Sequence, residues 1–233
     1  MIDLKRVAQE RLQTEPYQWA SIGNLFSPHD ASALAATFPE DHFVRRAGDD
    51  GVKAFEYDIR CLIRMGDQSV SRPKRLSSAW QTLANDLRSL AYRSAMSSLT
   101  GLDLSEAPLE VNAFHYPPGG SHGAHPDHRS KIVTHILYFN ETWNEEDGGC
   151  LLILRSSDTA DASAKVSPLS GNSAVVVRSD NSWHAVSRVA GHSPLSRRCV
   201  TATFYEKGTE NTVWPRRSRR VWQRLRRAMR RAE

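Results

Sequence analysis

Residues 109–140 read LEVNAFHYPPGGSHGAHPDHRSKIVTHILYFN, and the period of this stretch predicts the class of fold. After Pro108 the period changes to two and short segments rich in β-forming residues follow one another, separated by turns such as the Pro-Pro-Gly-Gly turn at 117–120, and this pattern is typical of β-strands. The strands predicted from this pattern are 109–116, 131–140, 149–155, 173–179, 184–189 and 197–205. The second half of the chain therefore predicts a β barrel or sandwich.

The first half of the chain carries the period that is typical of helices. Ser27 is a favourable N-cap and is followed by proline, which predicts a helix over 28–38. Over residues 77–100, apolar residues recur at steps of three and four until Gly101, which predicts one long helix facing the core. A short amphipathic helix is also predicted at 3–13.

The two patterns together predict one domain over residues 1–215, since single β barrels of roughly 200–250 residues are common. Helical support is expected over 1–107 and the β core over 108–207. Within that core, residues 156–170 are rich in serine, alanine and aspartate, so we expect a surface loop there. Residues 216–233 follow as an arginine-rich helical tail.

The basic charge of the chain is concentrated in this tail. Nine arginines against one glutamate give residues 216–233 a charge of +8, so about −3 of the total of +5 remains on the rest. The body therefore gives no field that would favour nucleic acid. The tail also has a narrow apolar stripe containing Trp222 and Leu225. It could bind an anionic membrane, a nucleic acid or an acidic carrier protein, or it could dock on the body.

Composition and cysteine usage indicate the compartment. The N-terminus has no apolar leader, and no stretch approaches the roughly 20 apolar residues of a membrane span. Cys61, Cys150 and Cys199 are far apart in the sequence, which indicates neither a disulfide framework nor a thiolate zinc site. We therefore expect a cytoplasmic protein without a transmembrane span.

His125-Pro126-Asp127 is the one His-x-Asp or His-x-Glu triplet in the sequence. Residues two apart on an extended segment project to the same side, so both side chains could bind one metal ion. A distant histidine would complete a 2-His-1-carboxylate site, and His184 is a better candidate than His192. The alternative is that His125 and Asp127 lie on a solvated turn and that His184 only ends a strand.

Arg197 begins the last predicted strand and shares a face with Cys199 and Thr201. A buried cation is unfavourable without an anion, and a dicarboxylate ligand could supply one through a bidentate pair. Arg198 is expected on the opposite face, reaching water. The strand therefore predicts an anion-binding position inside the barrel.

Residues 111–205 resemble the 2-oxoglutarate/Fe(II) oxygenase superfamily, in particular its prolyl-hydroxylase-like branch. The matching motifs, in order, are YPPGG at 116–120, HPD at 125–127, LYFN at 137–140 followed by Trp143, DGGCL at 147–151, SWHAV at 182–186 and RRCVT at 197–201. The resemblance implies a mainly β fold with α, in which a double-stranded β-helix (jelly roll) core is flanked by N-terminal helices.

The resemblance also implies roles for individual positions. Fe(II) would be bound by His125, Asp127 and His184. The pocket for 2-oxoglutarate would be formed by Arg197, Tyr138, Thr201 and Leu151, and the substrate side would be marked by Tyr116 and His122. Cys199 departs from the family pattern, which often has serine there, and a thiol is a weak hydrogen-bond donor.

The activity implied by the resemblance is that of an Fe(II)- and 2-oxoglutarate-dependent dioxygenase. It would oxidise a C–H bond of a small molecule or an amino-acid moiety, free or carrier-bound, while 2-oxoglutarate and O2 are consumed and succinate is formed. Ascorbate is a further candidate cofactor. Retention of Asp127 favours hydroxylation over halogenation. The alternatives are a prolyl-type protein-residue hydroxylase and a non-catalytic, cupin-like binding or sensor protein.

Overall fold

The computed structural model describes residues 1–49, 53–66, 68–209 and 214. Within them the helices are α1 (Leu4–Gln9), α2 (Pro28–Ala36), α3 (Ser78–Arg88) and α4 (Leu90–Thr100). The strands are β1 (Trp19–Ile22), β2 (Val44–Asp49), β3 (Ala54–Ile63), β4 (Leu109–Tyr116), β5 (Ser121–His125), β6 (Lys131–Tyr138), β7 (Leu151–Leu154), β8 (Ala162–Val166), β9 (Ser173–Val177), β10 (His184–Val186) and β11 (Arg197–Tyr205). The predicted tail at 216–233 lies outside the described residues.

The strands form one sheet in the order β1-β9-β6-β11-β4-β3-β5-β10-β7-β8, with β2 paired to β3. Every pairing between these strands is antiparallel, and the sheet curls into a nearly closed barrel. The mainly β class with a jelly-roll core and N-terminal helices is thus confirmed. Strands β4 and β11 have the predicted bounds, whereas the other predicted strands are shorter than expected.

The single long helix predicted over 77–100 is wrong, because Ser89 divides it into α3 and α4. Ser89 has an extended backbone with ψ of 151°. Its N–H donates to the carbonyl of Asp86 at the end of α3. Its hydroxyl accepts the N–H of Tyr92, 3.0 Å away, at the start of α4. Ser89 thus ends one helix and caps the next. The apolar residues keep their spacing of three and four across this break, so their period alone did not reveal it.

Two other segments differ from their predicted secondary structure. The region 1–107 is not helical throughout, because it contributes β1, β2 and β3 to the sheet. Residues 156–170 are not only a loop, because they contain β8, which pairs with β7. Strands β2 and β8 lack a strong apolar pattern, because every residue of β2 is exposed and β8 buries only its last residue.

The helices pack on the outer face of the sheet and leave the inner face for a cavity. The Trp80 ring of α3 lies 4.8 Å from the Phe139 ring, centroid to centroid. Val200 and Phe204 of β11 belong to the same cluster as the helices, whereas Cys199 belongs to a second cluster on the inner side. Among the described helices, none combines the length and the apolar character that a membrane crossing requires.

The turn before β7 depends on a glycine at position 148. Gly148 has a φ of +66°, and a Cβ there would lie 2.1 Å from the carbonyl oxygen of Arg188. Gly148→Ala should therefore lower the free energy of unfolding by about 3 kcal/mol, from the strained backbone and the steric overlap together. Denaturant unfolding measures this. Gly191→Ala is the matched control, because its Cβ would meet nothing within 4 Å. Equal stability of the two variants would contradict this view of the turn.

Candidate metal centre

The barrel brings His125, Asp127 and His184 together. His125 ends β5 and His184 begins β10, and the two residues face each other in the register of these antiparallel strands. Asp127 follows two residues after His125. One possible ligand atom from each side chain lies within 4.8 Å of the others, and all three residues are buried. Two imidazoles and one carboxylate at this separation can bind a single divalent metal ion.

Both histidines are oriented by backbone carbonyl groups. The Nδ1 of His125 lies 2.8 Å from the carbonyl oxygen of Gly123, and the Nδ1 of His184 lies 2.9 Å from that of Ser182. A carbonyl oxygen only accepts, so each Nδ1 carries the proton and each Nε2 keeps a free lone pair. The Nε2 of His184 is 3.9 Å from Oδ1 of Asp127. Both imidazoles therefore present Nε2 as the metal-binding atom.

The charge states of the three groups suit a divalent cation. Burial, together with the charges of His184 and Lys53, lowers the pKa of His125 to about 3. Burial also lowers the pKa of His184. Burial alone would raise the pKa of Asp127, but the positive charge of Lys131 outweighs it and holds that pKa well below its usual range. At neutral pH the centre thus has two neutral imidazoles and one carboxylate.

Two side chains of β6 fix the carboxylate of Asp127. Lys131 donates from Nζ to Oδ1 at 2.5 Å, and Thr134 donates from Oγ1 to Oδ2 at 3.0 Å. Sequence reasoning missed both contacts. The available signal was the alternation of β6, which places Thr134 on the inner face, but the pairing with Asp127 follows only from the folded register.

Arg197 lies fully inside the barrel, with 1% of its surface exposed. Its Nη1 donates to Sγ of Cys199 at 3.0 Å, and its guanidinium lies 4.8 Å from the Tyr116 ring and 5.3 Å from the Tyr138 ring. Within the described part of the chain, neither Nε of Arg197 nor Oη of Tyr138 has a hydrogen-bond partner. No described carboxylate forms an ion pair with Arg197 either. This arrangement fits a carboxylate ligand.

One cavity of about 460 Å³ connects the metal centre with Arg197. Eight of the nine residues predicted for the site line it, namely His125, Asp127, His184, Arg197, Thr201, Leu151, Tyr116 and His122. Tyr138 does not line the cavity and instead lies fully buried beside Arg197. His192, the rival to His184, is exposed and outside the cavity.

The substrate side of the cavity is more aromatic than the sequence indicated. The His122 ring stacks on His125 with 4.3 Å between centroids, and Tyr57 lies 5.4 Å from His122. Tyr57 belongs to β3, which was not predicted as a strand, so its place in the cavity was missed. Arg198 points away from the cavity, and its guanidinium lies 5.4 Å from the Phe38 ring on the outer face.

Comparison with known proteins gives one family. Residues 111–206 match the model of the 2OG-Fe(II) oxygenase superfamily. The matched segment contains all three candidate ligands and Arg197. Comparison with curated protein sequences finds no match.

Several solved structures share the fold. A prolyl-4-hydroxylase from Pseudomonas putida is 21% identical over 87% of this chain and 97% of its own, with a TM-score of 0.58. A prolyl 4-hydroxylase from Phytophthora capsici is 16% identical over 91% of this chain and 68% of its own, with a TM-score of 0.61. The alpha-ketoglutarate-dependent epimerase SnoN of nogalamycin biosynthesis is 13% identical over 87% of this chain and 82% of its own, with a TM-score of 0.52.

Proposed function

We propose that the chain is a 2-oxoglutarate-dependent dioxygenase that oxidises a C–H bond of a small molecule or an amino-acid moiety, and the match of residues 111–206 to the model of the 2OG-Fe(II) oxygenase superfamily supports this. One observation carries the assignment of the site: a buried guanidinium without a described carboxylate partner shares a cavity with two histidines and an aspartate. A binding or sensor protein has no evident need for both features together.

The residues present fit iron and the co-substrate. Fe(II) would be bound by His125, Asp127 and His184 through the two Nε2 atoms and the carboxylate. Once bound there, it would supply the dioxygen chemistry that oxidises the substrate and converts 2-oxoglutarate to succinate and CO2. The carbonyl groups of Gly123 and Ser182 hold the imidazole rings in the orientation that this binding requires.

We assign the distal carboxylate of 2-oxoglutarate to Arg197. The guanidinium can pair with it through two N–H groups, and the unpartnered Oη of Tyr138 beside it can donate a further hydrogen bond. Thr201 lines the cavity on the same strand face and can donate another, while Leu151 supplies an apolar wall. Because this end is closed by buried side chains, the bound carboxylate would be shielded from water.

The substrate side is assigned to Tyr116 and His122. Burial holds the pKa of His122 well below its usual range, so the ring is neutral. Its Nε2 is buried in the cavity and has no hydrogen-bond partner among the described residues. The ring can therefore offer a hydrogen bond to a substrate while it packs against His125 and keeps that ligand in place.

Hydroxylation of a protein residue is the second candidate. The structures that share the fold include the prolyl-4-hydroxylase from Pseudomonas putida and a prolyl hydroxylase from Trichoplax adhaerens in complex with a peptide fragment. Sequence identities of 21% and 14% show a shared fold but not a shared substrate, so the substrate of this chain has to be tested separately.

A coupled succinate assay separates the candidates. Purified chain with Fe(II), O2 and 2-oxoglutarate, with and without ascorbate, is offered free amino acids, small metabolites and proline-containing peptides. We expect substrate-stimulated succinate release with a small molecule and an oxidised product by mass spectrometry. Stimulation by peptides alone would favour protein-residue hydroxylation. Absence of any iron-dependent succinate release, even without substrate, would contradict the proposed function.

Deleting residues 216–233 should leave metal binding and substrate-independent succinate release within about twofold of the full chain. The reason is that every residue assigned to the site precedes residue 206, and an unperturbed site keeps its binding free energy. Metal titration and the succinate assay on the truncated chain measure this. A folded truncation that binds Fe(II) but has lost all turnover would show that the tail takes part in the reaction.

A further inference from the structure

A second cavity, of about 370 Å³, lies outside the barrel beside β3. Its lining includes Phe43, Arg60, Arg64, Arg72 and Trp214. Ile59 of β3 lines the cavity at the candidate metal centre, named the catalytic cavity here. The next residue, Arg60, projects to the opposite face of the strand. Strand β3 therefore separates the two cavities. The volume falls in the range of roughly 300–1,000 Å³ that is usual for small-molecule sites.

Arg60 is the central feature of this cavity. Only 1% of its surface is exposed. Its Nη1 lies 3.0 Å from Oδ1 of Asp41, but the two groups are not oriented for a hydrogen bond. Within the described part of the chain, neither Nη1 nor Nη2 of Arg60 has a hydrogen-bond partner. Asp41 partly offsets the charge of this buried guanidinium, but its N–H groups without hydrogen bonds remain unfavourable unless a ligand supplies acceptors.

Two further arginines line the cavity. Arg64 and Arg72 line it, and within the described residues neither forms an ion pair with a carboxylate. Asp41 is the acidic partner of Arg60 and also lies 3.4 Å from Nε2 of His42. Three guanidinium groups therefore face one carboxylate, and the cavity has an excess of positive charge.

We propose that this second cavity binds a phosphate group, either as inorganic phosphate or as the phosphate of a small organic ester. A phosphate monoester carries a charge of about −1.5 to −2 at pH 7 and has three acceptor oxygens, which matches three arginines better than a single carboxylate does. The planar fork of Arg60 provides the buried bidentate contact, and Arg64 and Arg72 contact the remaining oxygens. Phe43 and Trp214 supply the apolar surface that an organic ester would contact.

A hydrogen bond of Trp214 links the lining of the second cavity to the lining of the catalytic cavity. The indole Nε1 of Trp214 donates to Oδ1 of Asn112 at 2.8 Å. Asn112 lines the catalytic cavity, whereas Trp214 lines the second one. The indole N–H signal of Trp214 is therefore a local reporter of ligand binding.

The test is calorimetric titration of the full chain at low salt with inorganic phosphate and, separately, with ribose 5-phosphate. We expect one saturable site per chain, weakening with added salt because two of the arginines are near the surface. Arg72→Ser should weaken binding about tenfold, and Arg60→Lys tenfold or more. Arg72 is exposed, so that variant should remain folded even if the change at Arg60 does not tolerate folding. Binding should also shift the indole N–H signal of Trp214 in NMR spectra.

Two controls define the site. Arg155→Gln removes an exposed arginine near β7 and should leave binding unchanged. Arg197→Ala removes the guanidinium of the catalytic cavity and should also leave it unchanged. Tighter binding of the ester would identify a phosphorylated molecule as the ligand, and equal binding would identify inorganic phosphate. No saturable binding, or equal weakening by Arg72→Ser and Arg155→Gln, would overturn the proposal.

Discussion

Separate changes of His125, Asp127 and His184 to alanine should each weaken Fe(II) binding by more than about 100-fold. Loss of an outer-shell partner of a metal ligand typically weakens metal binding by about 10- to 100-fold, so loss of a ligand itself should do more. Each residue offers one possible ligand atom, and these three atoms lie within 4.8 Å of one another. Asp127→Ala also removes the one carboxylate of the triad. Calorimetric titration with Fe(II) under anaerobic conditions measures the affinity for the metal.

His192→Ala is the matched control for the triad, because His192 is exposed and outside the cavity. It should bind Fe(II) like the unchanged chain. Circular dichroism should show that all four variants are folded. Unchanged binding in any one triad variant would remove that residue from the set of ligands, and loss of binding in His192→Ala would bring that residue into it.

Arg197→Ala should weaken 2-oxoglutarate binding by about 30- to 1,000-fold while leaving Fe(II) binding within a few-fold of the unchanged chain. Loss of a bidentate, charge-assisted contact in a buried site corresponds to about 2–4 kcal/mol. Arg197→Lys should also weaken binding, because an ammonium group cannot form the two parallel hydrogen bonds of the guanidinium. Anaerobic titration of each variant first with Fe(II) and then with 2-oxoglutarate gives the affinities for the metal and for the co-substrate.

Arg198→Ala provides the neighbouring control. Its guanidinium packs over Phe38 on the outer face of β11, so its loss should change 2-oxoglutarate affinity by less than about threefold. If Arg198→Ala were the variant that loses 2-oxoglutarate and Arg197→Ala were not, the assignment of the carboxylate to Arg197 would be wrong.

The core strands of the site could be predicted because apolar and polar residues alternate over most of their length. Strands β4 and β11 show this alternation between clear turns, and their predicted bounds match the structure. The same period of two indicated that Arg197 and Thr201 share the inner face. The His125-Pro126-Asp127 triplet follows β4 and precedes β6, both of which were predicted as strands, so its neighbourhood was also predictable.

Other parts of the site could not be predicted, for two physical reasons. One face of strand β3 lines the catalytic cavity with Tyr57, and the other face carries Arg60. Charged and apolar residues are therefore mixed along β3, and no simple hydrophobic period identifies it as a strand. The contacts of Asp127 with Lys131 and Thr134 depend on how β6 lies against the turn at 126–130, which is a property of tertiary packing. Tyr138 was assigned to the co-substrate pocket from the resemblance; its ring lies 5.3 Å from the guanidinium of Arg197, and its hydrogen bond to the co-substrate stays a prediction.

The most direct test of the proposed iron and 2-oxoglutarate site is an anaerobic titration of the unchanged chain, first with Fe(II) and then with 2-oxoglutarate, monitored by visible absorption. We expect one Fe(II) per chain and then a weak charge-transfer band that saturates at one 2-oxoglutarate per iron. The band should be absent in Asp127→Ala and should require much more 2-oxoglutarate in Arg197→Ala. A chain that binds Fe(II) at this centre yet gives no band at any 2-oxoglutarate concentration would contradict the account.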